Sequence, residues 1–309
     1  MADSSGLAHR IGESVIGILP DGPRISLRRA LRKNKERARL KRADLTVIAH
    51  PKSGSTWLRF QFARIYQQKF VLPESVIPRV EIFHKLEPAI PQLHMAGYEY
   101  IKHVIARPAP DDELADKKAV FVVRHPLDVI VSLYFHIQKH AAHERKLFNN
   151  WPLNLEGVSM YEFAMSSDWG LREAIGFYNS CVRHATNMPD AMIVSYENMR
   201  TNTPDVLHRI MTFANTDVSE TEVREATEFT SFERLREAER TNSFNSYRLR
   251  PGNLGDPDSF KVRRAKIFGY RDYFGADETT ELERIVTDEL HPSLGYSSFG
   301  TNSAAVPKE

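Results

Sequence analysis

Three short apolar runs constrain this chain more than anything else in it, because a polar turn cuts off each run and a helical stretch follows. They are Leu45-Thr46-Val47-Ile48-Ala49, Ala119-Val120-Phe121-Val122-Val123 and Ala191-Met192-Ile193-Val194-Ser195-Tyr196. Runs this short and rich in β-branched residues suit strands, and a continuous apolar run suits a strand covered on both faces. After the first, Trp57, Leu58, Phe62, Ile65 and Tyr66 fall at helical spacing over Thr56–Lys69. After the second, Pro126 opens a helix carrying Val129, Ile130, Leu133, Tyr134 and Ile137. A helix around Asp205–Asn215 follows the third. Strand, turn and helix repeated in this order predict an α/β fold: a single domain with a central parallel sheet flanked by helices. The 309 residues fit one large domain over 43–300, with a basic, helical extension at 1–42 and a frayed tail at 301–309. Leu72–Pro91, Asn149–Val158 and Thr241–Phe260 read as loops, and loops this long are often lids or binding loops.

Composition excludes several classes. A formal charge of +2 gives no reason to expect nucleic acid as a partner. The apolar runs are too short to span a bilayer, and Ala2–Leu19 lacks the pattern of a secretory signal. The one cysteine, Cys181, can build neither an internal disulfide nor a cysteine-based metal site, which favours a reducing, cytoplasmic setting. The near-neutral total conceals one uneven segment. Arg24–Arg42 holds ten Lys or Arg and a single acid, Glu36. It reads either as a solvated helix leading into the domain or as a surface for anionic lipid or an acidic partner, that is, a peripheral membrane contact.

The strongest chemical signal is His50-Pro51-Lys52-Ser53-Gly54-Ser55-Thr56-Trp57, lying between the first strand and its helix. A tight turn at Gly54 exposes backbone N–H groups, and the helix aims its positive end at the same point. Ser53, Ser55 and Thr56 add hydroxyls and Lys52 adds a full charge, together a nest for a phosphate-like anion. Kinase-type loops place Lys after the glycines, whereas here Lys52 precedes Gly54. This order, with no clear carboxylate partner for Mg²⁺, disfavours a nucleotide-dependent phosphotransferase, and a non-catalytic membrane-surface protein would leave the phosphate constellation to chance. A capping turn alone would need neither Lys52 nor Trp57.

Lys-Ser-Gly-Ser-Thr-Trp after a strand closely resembles the 5′-phosphosulfate loop of the sulfotransferase family, Pro-Lys-Ser-Gly-Thr-Thr-Trp, differing only at Ser55. The cytosolic-type members also carry an Arg at a strand end and a Ser eight residues on, both on the donor's 3′-phosphate. Arg124 and Ser132 match that pair, with Asp128 as an alternative ion-pair partner for Arg124. Tyr196 in Tyr-Glu-Asn-Met resembles the family's Tyr-Glu-Asp-Met, whose Tyr approaches the adenine. Phe232 in Thr-Ser-Phe matches the stacking aromatic, with Trp57 implied on the opposite face; single aromatics also have a plain core role. The family's Arg-Lys-Gly-x-x-Gly loop has its counterpart at Arg263-Arg264-Ala265-Lys266-Ile267-Phe268-Gly269. Ala265 and Phe268 stand where the family has glycine. Ala265 keeps its N–H for phosphate if its φ stays negative, and Gly269 is the candidate to take the turn in place of Phe268.

The resemblance implies a PAPS-dependent sulfotransferase (PAPS, 3′-phosphoadenosine 5′-phosphosulfate; product PAP) working without metal on a hydroxyl acceptor. Lys52 stabilises the leaving oxygen and a histidine takes the acceptor proton. Family members place Lys-Thr-His before the matching Arg; the nearest fit here is His103, with Glu81 and Glu87 as carboxylate alternatives. Between Pro73 and His103, apolar residues mix with His84, Lys85, His94 and Glu99, which leans toward an acceptor hydroxyl on a sugar or lipid-linked molecule. The dimerisation segment of some relatives has no clear counterpart near Arg271–Glu281, leaving oligomeric state open.

Overall fold

All three apolar runs form strands, joined by a fourth that the pattern did not reveal. The computed structural model describes Ile16, residues 18–107 and residues 113–296, so the expected tail at 301–309 lies outside the described residues. The strands are β1 (Leu45–Ala49), β2 (Leu93–Met95), β3 (Ala119–Val123) and β4 (Ala191–Ser195). They pair in the order β2-β1-β3-β4, all parallel, with Val47 opposite both Met95 and Val120. β2 has only three residues and His94 breaks its apolar run, so it carries no strand signature in the sequence.

Twelve α-helices connect and cover the sheet among the described residues. They are α1 (Asp21–Arg42), α2 (Ser55–Lys69), α3 (Tyr98–Ile105), α4 (Pro126–Lys139), α5 (His143–Phe148) and α6 (Met160–Met165). The chain continues with α7 (Leu171–Asn187), α8 (Tyr196–Thr201), α9 (Thr203–Phe213), α10 (Glu220–Phe229), α11 (Phe232–Thr241) and α12 (Ala276–Glu289). The expected loop at Leu72–Pro91 contains a 3₁₀ run, Glu74–Lys85, kinked at Arg79. Alternation along β1 and β3 divides the core into two layers. Ile48, Phe121 and Val123 pack with α4, α7 and α12, while Val47, Val120 and Val122 pack with α2, α9 and α10. Fully burying one such side chain contributes about 1.5–3 kcal/mol. Both strands are therefore apolar at nearly every position.

The basic segment is α1, and it docks on the domain rather than standing apart from it. Glu36, its one acid, binds His94 Nε2 at 3.0 Å and accepts the Gly97 N–H at 3.1 Å. Burial pushes the Glu36 carboxyl up, but His94, the Gly97 N–H and Arg39 outweigh it and hold the group at about 2. Arg28 pairs with Glu144, Arg37 with Glu113 at 3.2 Å, and Arg29 donates to the Leu147 and Phe148 carbonyls. Leu40 and Ile25 are buried against the body. No helix among the described residues is long and apolar enough to cross a membrane.

Candidate active site

A parallel sheet presents its ligand crevice at the carboxyl ends of its strands. Lys52 follows β1 there, Arg124 follows β3 and Tyr196 follows β4. The turn after β1 is tight: the Ser53 N–H donates to the His50 carbonyl at 3.2 Å, and the His50 ring is held by Glu173 at 3.1 Å. Lys52 and Gly54 both take positive φ, 76° and 105°. Gly54 then caps α2, whose first turn has no side-chain cap and no acid. The first helical bond is Leu58 N–H to the Gly54 carbonyl, so the N–H groups of Ser55, Thr56 and Trp57 point outward with the positive helix end behind them.

Arg124 joins this loop to the second one. Its Nη1 donates to the Lys52 carbonyl at 3.3 Å and its Nη2 to the Lys266 carbonyl at 3.4 Å. The guanidinium lies 4.2 Å from the Tyr196 ring centre and 3.5 Å from Asp128 Oδ2, so the ion pair and the cleft position coexist. Its Nε is buried and has no hydrogen-bond partner among the described residues. Asp128 spends its oxygens on the N–H groups of Phe268 and Tyr270, at 2.8 and 2.9 Å, pinning the second loop to α4. In that loop Ala265 has φ 49° and Phe268 φ 54°. Both expectations are corrected: Ala265 does not keep a negative φ, and Phe268 itself takes the left-handed turn instead of passing it to Gly269. Such strain costs an L-residue roughly 1–2 kcal/mol.

Trp57, Tyr196 and Phe232 line the same cleft, as do Ser55, Thr56, Ser132, Arg263, Arg264 and Ala265. The Trp57 indole donates to the Thr230 carbonyl at 2.9 Å and meets Tyr196 edge-on with centroids 5.9 Å apart. Arg200, one turn into α8, stacks over Trp57 at 5.6 Å and also reaches the cleft, a role the sequence did not suggest. Arg263 is held by Asp258 and Tyr273, and Arg264 by Asp272 at 2.6 Å.

Several expected residues are elsewhere. Ser53 is fully buried, with its hydroxyl on Tyr178 at 2.7 Å and its N–H on His50, so it has nothing to offer a ligand. His103 does not reach the cleft: it lies on α3, two-thirds exposed, 3.7 Å from Glu99. Glu87 sits before β2, where its carboxylate accepts the Ala89 N–H at 3.0 Å, and it does not line the cleft. Glu81 is bound by Arg59 and by Arg248, which hold it ionised. The histidine the cleft does contain is His136, one turn beyond Ser132 on α4. It is buried, and neither ring nitrogen has a hydrogen-bond partner among the described residues. Burial, then Lys52, Arg145, His140 and Lys261, holds its pKa well below the usual imidazole value. Its spacing of four from Ser132 was the available signal. Burial, then Lys261, Arg145 and Arg124, likewise lowers the Lys52 ammonium to about 7.

Comparison with known proteins agrees with this geometry. Residues 42–293 match the sulfotransferase domain family. A 3-beta-hydroxysteroid sulfotransferase of Cavia porcellus is 22% identical over 272 residues, covering 84% of this chain and 88% of its own. Cytosolic sulfotransferase 12 of Arabidopsis thaliana is 25% identical over 283 residues, covering 85% and 82%. Among solved structures, a mouse sulfotransferase complexed with PAP superposes with a TM-score of 0.53 at 17% identity, covering 80% and 84%. A retinol dehydratase in complex with androsterone and PAP gives 0.53 at 16% identity, covering 85% and 82%. With a cradle of N–H groups after β1 and a cationic clamp after β3, this chain belongs to the sulfotransferase family.

Proposed function

We propose that the protein moves a sulfuryl group from PAPS to the hydroxyl of a polar acceptor, a sugar or lipid-linked alcohol. The observation that carries this is Arg124: a buried guanidinium, bridging the two loops, whose Nε has no partner among the described residues. A buried donor left unpaired is costly, and a 3′-phosphate supplies what it lacks. The Ser55–Trp57 N–H groups and Lys52 suit the 5′-phosphosulfate, while Arg124, Ser132, Arg263 and Arg264 suit the 3′-phosphate. Trp57 and Phe232 suit the two faces of the adenine and Tyr196 its edge. The PAP complexes of the structural neighbours support the same reading.

Transfer is an in-line displacement. The acceptor oxygen forms a bond to sulfur as the bond from sulfur to the bridging oxygen breaks. That electron pair stays on the 5′-phosphate of PAP, and the acceptor proton goes to His136. Held neutral by burial and its cationic neighbours, the His136 imidazole is in the form that accepts a proton. Lys52 is near its titration point in the free protein, and the arriving polyanion stabilises its charged form, which then faces the leaving oxygen. Besides Lys52, the cleft is lined by His136, Arg145, Tyr247, Arg248 and Lys261, groups that suit a polar acceptor. Tyr247 and Arg248 also border a neighbouring groove of about 1240 Å³ lined by Glu74, Arg79, Glu233 and Arg234, giving room for an extended polar acceptor.

The test is calorimetry with PAP against adenosine 5′-phosphate. PAP binds far more tightly, and Arg124→Ala loses roughly tenfold or more, as expected for a charge-assisted contact. Equal, weak binding of both nucleotides sinks the donor assignment. His136→Ala abolishes transfer and keeps PAP binding; full turnover in that variant returns the search to a carboxylate. On α1, Leu27 and Leu31 remain exposed one turn apart with Lys35 on the same face, which supports a peripheral contact with anionic lipid. Co-sedimentation with anionic liposomes tests it, and identical behaviour of a chain starting at Ala43 rejects it.

A further inference from the structure

We propose that the acceptor carries a fixed negative charge of its own, a carboxylate, phosphate or sulfate, which Arg145, Arg248 and Lys261 hold while its hydroxyl faces Lys52 and His136. The inference rests on the sulfotransferase reading above and adds the chemical class of the acceptor to it.

The cleft is lined by nine Lys or Arg side chains and one acid, Asp128, which is already committed to the second loop. The donor has its own cations, Lys52, Arg124, Arg263 and Arg264, on the loops that follow β1 and β3 and on the loop before α12. Arg145 and Arg248 come from two other places, α5 and the 3₁₀ turn at Tyr247–Leu249, and Lys261 from the start of the stretch that carries Arg263 and Arg264. None of the three is neutralised one-for-one. Arg145 has no ion pair among the described residues; it stands 5.9 Å from the Trp151 ring centre. Arg248 shares the single carboxylate of Glu81 with Arg59. The Lys261 amine donates to the neutral Tyr247 carbonyl, and the nearby Glu239 carboxylate is taken by the backbone N–H groups of Lys261 and Val262.

Like charges gathered in a protein-walled cleft raise one another's energy until an anion arrives. The effect is visible on Arg145, lowered by burial and by Arg248, and on Lys261. Burial, with Glu239 opposing it and Arg145, Arg248 and Arg250 adding to it, brings the Lys261 ammonium down to about 8. Lys261 and Arg145 are also the charges that, after burial, most depress Lys52, which places them on the reacting side of the cleft rather than on the adenine side. Tyr247 and Arg248 border the neighbouring groove as well, so the cluster lies where the cleft and that groove meet.

The chain outside the family match supports this cluster. Arg29 of α1 donates to the carbonyls of Leu147 and Phe148 at the end of α5, and Arg32 lies 4.2 Å from the Phe148 ring centre. The basic helix thus braces the short helix that presents Arg145.

The experiment begins with protein saturated with PAP, so that failure of the donor reading shows first, as failure to bind PAP. Glucose, glucose 6-phosphate and glucuronate are then titrated into that complex by calorimetry, the two anions separating phosphate from carboxylate. At least one anionic probe binds about tenfold or more tightly than glucose, the scale of one charge-assisted hydrogen bond. In Arg145→Gln and in Lys261→Gln the preference falls toward parity, while PAP still binds, which shows that the variants are folded. Equal or undetectable binding of all three sugars to the PAP complex overturns the proposal, as does an anion preference that survives both substitutions.

Discussion

Gly54→Ala isolates the backbone geometry on which the donor site depends. Gly54 has φ 105°, outside the ordinary left-handed well, and a Cβ built there would lie 2.7 Å from Tyr196 Cδ2 and 3.4 Å from Cε2. The ring cannot swing aside freely, because Arg124 lies 4.2 Å over it and Trp57 packs on its edge. The dihedral strain costs about 1–2 kcal/mol, and the overlap adds about 1–3 kcal/mol. A total near 3 kcal/mol corresponds to a fall in Tm of roughly 6–12 °C for a domain of this size. The displaced Tyr196 and Arg124 also weaken PAP by about tenfold or more. Gly176→Ala is the matched control: nothing lies within 4 Å of its added Cβ, and it sits inside α7, where Ala gains about 0.5–1 kcal/mol over Gly. Thermal unfolding by circular dichroism and PAP titration read both effects. A Gly54→Ala protein that melts and binds PAP as the native protein does would refute the reasoning.

Three further outcomes follow from single groups. Lys52 titrates near 7 when free and is driven up by a bound polyanion, so PAP binding at pH 8 takes up a proton, and affinity falls as pH rises from 7 toward the bound-state pKa. Binding heats at pH 8 in buffers of different ionisation enthalpy measure this; no buffer dependence contradicts it. Ala265→Gly releases a positive φ of 49° and raises stability by up to about 1 kcal/mol, read as a higher Tm, and a lower one counts against the strain. Glu36→Gln loses charge-assisted bonds to His94 and Gly97 and costs about 1.5–3 kcal/mol at pH 7. Because the folded Glu36 carboxyl is held at about 2, its contribution is full above the unfolded value near 4.5. It disappears as pH falls toward 2, where denaturation of the two proteins should converge.

What could be read from the sequence divides along a physical line. Residues that immediately follow a strand are placed by topology alone: once Leu45–Ala49 and Ala119–Val123 are parallel neighbours, Lys52 and Arg124 must emerge at the same edge. The cleft's nucleotide side was legible for that reason. Residues supplied by surface segments were not. Arg145, Arg248 and Lys261 are far apart in sequence, and nothing in the spacing of α5, the Tyr247 turn and the following loop says that they converge. His103 shows the complementary error. Its distance along the chain from Arg124 suggests the cleft, but it lies on α3, whose turns bury Ile101 and Val104 and leave His103 two-thirds exposed. Chain distance predicts position only within one regular element, and within α4 the helical period from Ser132 leads to His136. Phe268 marks a further limit, since no propensity assigns a left-handed turn to Phe; Asp128, accepting the N–H groups of residues 268 and 270, fixes that conformation from another element. The cleft therefore has a wall set by topology and a wall set by tertiary convergence. The second wall is the one proposed to face the acceptor, where exchanging surface segments would change the lining without disturbing the sheet.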